Sequence, residues 1–168
     1  MNAAFAKTST TYLREYLARI ERAVEILPEA DLWWRPHPDT LSAGNILLHL
    51  SGNVRQWIVS GLGSANDGRD RAAEFAATEG ATGAELLEAL RRTVQAAAAT
   101  IDALDERSAV QEYSIQGTKV RGWEAVYHVV EHFSWHTGQL VWIAKTRAGD
   151  GHGLAFYDDE AVNRAHND

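Results

Sequence analysis

The chain has 168 residues, 45% of them apolar, which is within the usual size of one domain and enough to supply a hydrophobic core. Cysteine is absent, so disulfides, thiolate zinc sites, iron–sulfur clusters and cysteine nucleophiles are excluded, and any metal ligands must be nitrogen or oxygen. A formal charge of -7 and a pI near 5.5 argue against the phosphate attraction on which most nucleic-acid binding depends. No uncharged apolar run is long enough to span a bilayer, and MNAAFAKTSTTYLREYLARI lacks a signal core with a cleavage site, so a cytoplasmic protein without membrane association is expected. The expected organisation is one domain over 1–168, with a bundle over about 10–147 and a tail over 148–168.

The first element is an amphipathic helix from about Thr10 to Leu27, where Tyr12, Leu13, Tyr16, Leu17, Ile20, Val24 and Leu27 recur at three- and four-residue steps until Pro28 stops it. Pro28, Pro36 and Pro38 then disfavour helix across LPEADLWWRPHPD, a loop expected to tuck Trp33 and Trp34 inward. A second helix runs from Ser42, its expected N-cap, to about Gly61, with Ile46, Leu47, Leu50, Val54, Trp57 and Ile58 on the apolar side. Residues 63–83 are small and charged without sustained period and read as a long loop. Thr82 and Glu85 have the spacing of a capping box ahead of a third helix reaching about Leu104. Residues 109–121 alternate around a Gln-Gly turn and fit a short two-stranded ribbon, with a plain loop as the alternative. A fourth helix spans about Gly122 to Lys145, where Lys145 and Arg147 suit the negative end of its dipole, and the tail with Phe156 and Tyr157 is expected to fold back in part. Four long helices and no set of sheet-forming runs predict an all-α four-helix bundle, with the ribbon before its last helix. Six tryptophans suit packing and self-association; Trp123, Trp135 and Trp142 are expected in the core or a dimer contact, and Trp57 can line a pocket.

Four of the seven histidines fall in predicted helices: His49 in NILLHLSGN, and His128, His132 and His136 in VYHVVEHFSWHTGQL. His37, His152 and His166 fall in loops or tail. Residues four apart share a helix face, so the last helix carries a histidine stripe in which two neighbours can chelate one ion. A lone buried histidine such as His49 is more often a hydrogen-bonded core residue than a ligand. Burying several imidazoles without partners costs a few kcal/mol, however, and one shared metal satisfies them together. The H-E-x-x-H pattern is missing: Glu131 immediately precedes His132, about 100° round the helix, so a zincin protease is unsupported. The residues three before the four histidines are Ile46, Ala125, Val129 and Phe133, so the Glu-x-x-His of di-iron bundles is missing too.

Asn45-x-x-x-His49 on the second helix, with His132-x-x-x-His136-x-Gly138-Gln139 on the fourth, resembles the DinB-like superfamily of metal-dependent proteins over roughly Thr10 to Lys145. HLSGNVRQWI followed by RDRAAEF resembles one uncharacterised branch of it. The resemblance implies a DinB/YfiT-like four-helix bundle, frequently homodimeric, with a solvent-facing metal at one end. Carried over residue by residue, it implies His49, His132 and His136 as ligands, with His128 packing or standing behind them. Relatives of known activity are thiol-dependent transferases and isomerases, in which a metal activates the thiol of a small cofactor.

Three imidazoles leave a position open at zinc, whereas structural zinc sites are usually closed by four protein ligands. Such a metal can lower the pKa of water to about 7; the same Lewis-acid logic applies to a thiol, which must arrive on a cosubstrate because the chain has none. Zinc and nickel are the expected metals, and ligand type also admits iron or manganese. Asn45, Asn53, Gln56 and Gln139 lie within a turn or two of the ligands and are candidates for orienting their rings, as is His128. Arg69 and Arg71 are expected to form solvated pairs with Asp70 and Glu74 in preference to meeting an anionic substrate. No general base or serine nucleophile stands out, so no catalytic side chain is assigned. The leading expectation is a metal-dependent, thiol-using S-transferase acting on a small molecule. Its alternatives are a metal-dependent hydrolase, a non-catalytic metal-binding or stress-associated dimeric module, and a metal-free helical dimer.

Overall fold

The computed structural model describes residues 3–63 and 65–157 together with Val162; the rest of the tail, including His166, lies outside the described residues. Four long helices form the bundle: α1 (Ala3–Ile26), α2 (Ala43–Val54), α4 (Gly83–Asp102) and α6 (Gly122–Ala148). Helix α1 packs against α6 and α4, and α2 packs against the same two, which closes a four-membered ring around the core. Leu13 and Ile20 of α1, Leu47, Leu50 and Val54 of α2, Leu90 and Ile101 of α4, and Val129, Phe133 and Leu140 of α6 fill that core. None of these helices is long and apolar enough to cross a membrane.

Helix α1 starts seven residues before the expected Thr10, because alanine-rich AAFAKTS is a good helix former and Phe5 and Ala6 pack against the core. It ends before Pro28, and the proline-rich loop lays Trp33 and Trp34 against the core as expected. Trp33 sits on the first turn of α2, where a Cβ on Gly44 would lie 2.8 Å from its ring carbons. Gly44→Ala is therefore expected to cost about 1–2 kcal/mol, overpacking outweighing the gain in helix propensity, read as a lower urea midpoint with an unchanged slope.

Ser42 and Asn45 close a reciprocal capping box on α2: the Asn45 backbone N–H donates to Ser42 Oγ at 3.1 Å, and the Ser42 N–H donates to Asn45 Oδ1 at 3.1 Å. Beyond Val54 the helix widens into a π turn over Arg55–Ser60, in which the Gly61 N–H bonds the Gln56 carbonyl at 2.9 Å. Such turns are rare and often mark functional sites.

The expected long loop after Gly63 is not uniformly irregular. It contains a short helix, α3 (Arg71–Ala76), opened by the Asp70 side chain accepting from the Ala73 N–H at 3.0 Å. Six residues are too few for a hydrophobic period to register, which is why the sequence pattern concealed it. Thr82 and Glu85 cap α4 as their spacing predicts. Residues 109 and 110 belong to a short helix, α5 (Glu106–Val110), so the ribbon is shorter than 109–121. It pairs β1 (Glu112–Ile115) with β2 (Thr118–Arg121) in antiparallel register, Ile115 opposite Thr118. Gln116 and Gly117 both take positive φ, 51° and 75°, the backbone of a two-residue hairpin turn matched to strand twist.

The tail folds back through buried Leu154 and partly buried Phe156, with Arg19 and Arg22 over the Phe156 ring. The last-helix tryptophans depart from a core placement: Trp135 and Trp142 are 64% and 55% exposed and Trp123 is 40% exposed. Each stands on the outward side of α6, whose inward positions are taken by Val126, Val129, Phe133 and Leu140.

Candidate metal centre

Helices α2 and α6 face one another, and three imidazoles meet between them. His49 comes from the middle of α2, and His132 and His136 lie one turn apart on α6. Ring centroids are 4.9 Å apart for His49 and His132, 4.9 Å for His49 and His136, and 4.5 Å for His132 and His136. One ring nitrogen from each can be chosen so that all lie within 4.8 Å of one another, and no carboxylate belongs to the group.

The geometry and chemistry of this donor set fit a divalent transition metal. Two nitrogens bound to tetrahedral zinc at about 2.0–2.1 Å stand about 3.3–3.4 Å apart, and His49 Nε2 lies 3.1 Å from His132 Nε2. His132 Nδ1 is buried without a hydrogen-bond partner among the described residues, a cost of about 1–3 kcal/mol that a polar core built only for packing would avoid. Burial, then the charges that His136, His49, His128 and Arg69 place nearby, push His132 down to about 3. Burial and then His49 push His136 down to about 4, against the opposing bond from Gln139. Both rings are therefore neutral at pH 7, the form that binds metal.

His49 is buried beside a carboxylate that is itself buried, against the expectation of a solvated one. Its Nδ1 lies 3.1 Å from Glu74 Oε2, and Phe75 sets its ring edge-on to His49 at 4.8 Å. Arg69 does not form the expected solvated pair. Its Nε and Nη2 each donate to Glu74 at 2.7 Å, and the two side chains are only 3% and 9% exposed. Burial alone would raise the Glu74 pKa, but the bonds from Arg69 and His49 outweigh it and hold the carboxyl below its usual value. Arg69 Nη2 also passes 3.1 Å from His49 Nδ1 and carries a second N–H beside the one it donates to Glu74, so the carboxylate and the guanidinium compete for opposite tautomers of that ring. Asp70 is committed to capping α3, and Arg71 lies over the Phe75 ring at 4.5 Å.

The expected supporting residues divide by what they touch. Gln139 Oε1 accepts from His136 Nδ1 at 2.7 Å, leaving the Nε2 of that ring free. Gln56 acts at one remove, accepting from Arg69 at 3.0 Å and donating to Asp67 at 2.7 Å. Asn45 spends its amide elsewhere, donating to the carbonyls of Glu74 at 2.9 Å and Ala77 at 2.8 Å and pinning α3 beside the cluster. Arg35 reinforces that clamp through the Phe75 and Ala77 carbonyls. The His128 ring lies tilted by 42° against Trp57 at 4.1 Å and 5.5 Å from His132, outside the three-histidine group, its pKa lowered by burial against the opposing charge of Glu131. Asn53 is buried with its Oδ1 unpartnered. Glu74 was the residue sequence reasoning missed. Its only local signal is a place four residues after a helix-capping aspartate.

A search of curated proteins finds no match. Among solved structures, a DinB-like protein from Bacillus cereus shares the fold with a TM-score of 0.59 and 14% identity, covering 79% of this chain and 87% of that one. The DinB-like protein YjoA of Bacillus subtilis also gives 0.59, with 18% identity over 89% of this chain and 97% of the other. These likenesses are of fold, and the fold is DinB-like. A family profile described as "Protein of unknown function (DUF1572)" matches residues 1–154, and the chain belongs to that family.

Proposed function

We propose that His49, His132 and His136 bind one divalent transition metal, zinc or nickel before iron or manganese, and that the chain uses it in an S-transfer reaction with a small thiol cosubstrate. The observation that carries this reading is the convergence of three imidazoles from two helices, their ligand atoms within 4.8 Å and no carboxylate among them. A metal held by three protein ligands keeps a position for substrate. When bound, it supplies Lewis acidity that keeps a thiol or water deprotonated near neutral pH. The residues' own part is to hold and orient. Gln139 fixes the His136 ring, and the Glu74 carboxylate stands behind His49, 3.1 Å from its Nδ1. With no cysteine in the chain, the thiol must come from solution.

A cavity of about 590 Å³, lined by Pro36, Leu41, Ile46, Trp135, Gln139 and Trp142, reaches the cluster only through Gln139, which bonds His136; none of the three histidines lines it. Its size is in the range of small-molecule sites and supports a cosubstrate with an apolar body. Exposed Trp123, Tyr127 and Trp135 on α6, with Tyr12 on α1, support a homodimer, because scattered solvation rarely leaves so many large aromatics on one side of a helix.

Elemental mass spectrometry on untagged protein tests the site. One ion per chain is expected for the wild type and none for His49→Ala or His132→Ala purified identically, because each ligand contributes to binding. Absence of metal in the wild type, with none regained from zinc, nickel, iron or manganese, would leave the non-catalytic helical module as the better account.

A further inference from the structure

The three imidazoles of the cluster are supported unequally. His136 has a neutral amide on an exposed face, His132 Nδ1 has no hydrogen-bond partner among the described residues, and His49 has a buried carboxylate forked by a buried guanidinium. We propose that Glu74 and Arg69 are a positioning pair that holds His49 in its Nδ1-protonated tautomer and presents its Nε2 lone pair to the cluster. The tautomer claim stands on its own; its consequence for metal affinity rests on the metal reading above.

An ionised carboxylate has no proton to give, so its 3.1 Å approach to His49 Nδ1 is a hydrogen bond only when Nδ1 carries the proton; Arg69 Nη2, 3.1 Å from the same atom but bound more closely to Glu74 at 2.7 Å, is the competing contact. The opposite ring nitrogen then carries a bare lone pair, and it is this atom that lies 3.1 Å from His132 Nε2. Arg69 keeps the acceptor in place: its fork engages both Glu74 oxygens, which stops the carboxylate from rotating away from the ring. A latch that only fastened the α3 segment to α2 would need no bond to an imidazole, since Asn45, Arg35 and Gln56 already fasten it through other atoms. Gly52 is an independent sign that the pair is built against α2. It lies three residues after His49, and a Cβ there would fall on Glu74 Oε1 and within 2.8 Å of Arg69 Nε. A carboxylate behind a ligating histidine fixes the ring's orientation and raises its basicity, and its loss commonly lowers metal affinity 10–100-fold.

The experiment is long-range proton–nitrogen NMR on histidine-labelled protein, metal-free at pH 7, for the wild type and Glu74→Gln, with zinc affinity of both by competition against a chromophoric chelator. The His49 ring of the wild type is expected to be protonated at Nδ1. In Glu74→Gln the single remaining amide oxygen is contested by Arg69, so the His49 signals should move toward a mixture of tautomers and zinc affinity should fall 10–100-fold. A wild-type His49 protonated at Nε2 overturns the proposal whatever the protein binds. So does a folded Glu74→Gln with unchanged tautomer and affinity, which would reduce Glu74 to packing while leaving the three-histidine site intact. Should Glu74→Gln fail to fold, the wild-type spectrum alone decides. Should the wild type bind no zinc, the metal reading falls and the tautomer still decides the role of Glu74.

Discussion

Gly52→Ala is expected to destabilise the metal-free protein by about 2–4 kcal/mol and to weaken zinc binding at least tenfold. In an ordinary helix interior the same change gains about 1 kcal/mol of helix propensity. Here the new methyl falls on Glu74 Oε1 and crowds Arg69 Nε. Parting a buried ion pair costs roughly 3–5 kcal/mol, because each charge is left without its partner, and the net sign is therefore unfavourable. Gly138 provides the contrast within the same fold. It sits in α6 two residues after His136, and a Cβ there meets nothing within 4 Å. Gly138→Ala is expected to be neutral or to stabilise by up to about 1 kcal/mol. Urea denaturation of both variants in chelator, followed by zinc competition, checks the pair. Equal effects at the two glycines would show that Glu74 and Arg69 yield without cost.

Acidification is expected to remove on the order of 3 kcal/mol of stability from the metal-free protein between pH 7 and about pH 4.5, ahead of ordinary carboxylate titration. The sign follows from the direction of the histidine shifts. His132 and His136 lie at about 3 and about 4 in the folded chain, against an ordinary value of 6.5. Below about pH 6.5 the unfolded chain takes up protons that the folded chain refuses, so stability is fully present above that pH and falls with it. The loss ends for each ring only as pH reaches its folded value. Two refused protons set a limiting slope of about 2.7 kcal/mol per pH unit, reduced here because both rings keep some contact with solvent. His128 adds in the same sense, burial having lowered it as well. The contribution of Glu74, also lowered, is lost only below its usual 4.5. Urea midpoints measured across this window for the wild type and His132→Gln separate the terms. The variant should lose stability less steeply, by up to about 1.4 kcal/mol per pH unit. Parallel curves would mean that the folded protein protonates His132 as readily as the unfolded chain does.

Much of this molecule is written in short-range pattern. Three- and four-residue spacing marks α1, α2, α4 and α6, Ser42 with Asn45 and Thr82 with Glu85 mark helix starts, and Gln116-Gly117 marks the ribbon turn. The proximity of His132 to His136 was equally legible, since residues four apart on a helix must share a face. His49 joins them across a separation of 83 residues. Its place in the group came from resemblance to a family, because helical spacing says nothing about which face of another helix it will meet. The second sphere was less legible still. Arg69 and Glu74 stand in a charged stretch with no period, where solvated pairing is the ordinary outcome. Their burial depends on the space over Gly52, on the amide of Asn45 and on the carbonyls that Asn45 and Arg35 collect. The outward tryptophans of α6 show the same limit, because α1 and α2 compete for one helix surface and a count of aromatic residues cannot tell which of them loses. Local sequence determined the four helices, their caps and the histidine pair on α6, because hydrogen bonds and side-chain facing within a helix depend on near neighbours. Only the tertiary structure decided that His49 completes the cluster and that a buried carboxylate stands behind it, because those contacts depend on how α2, α3 and α6 pack together.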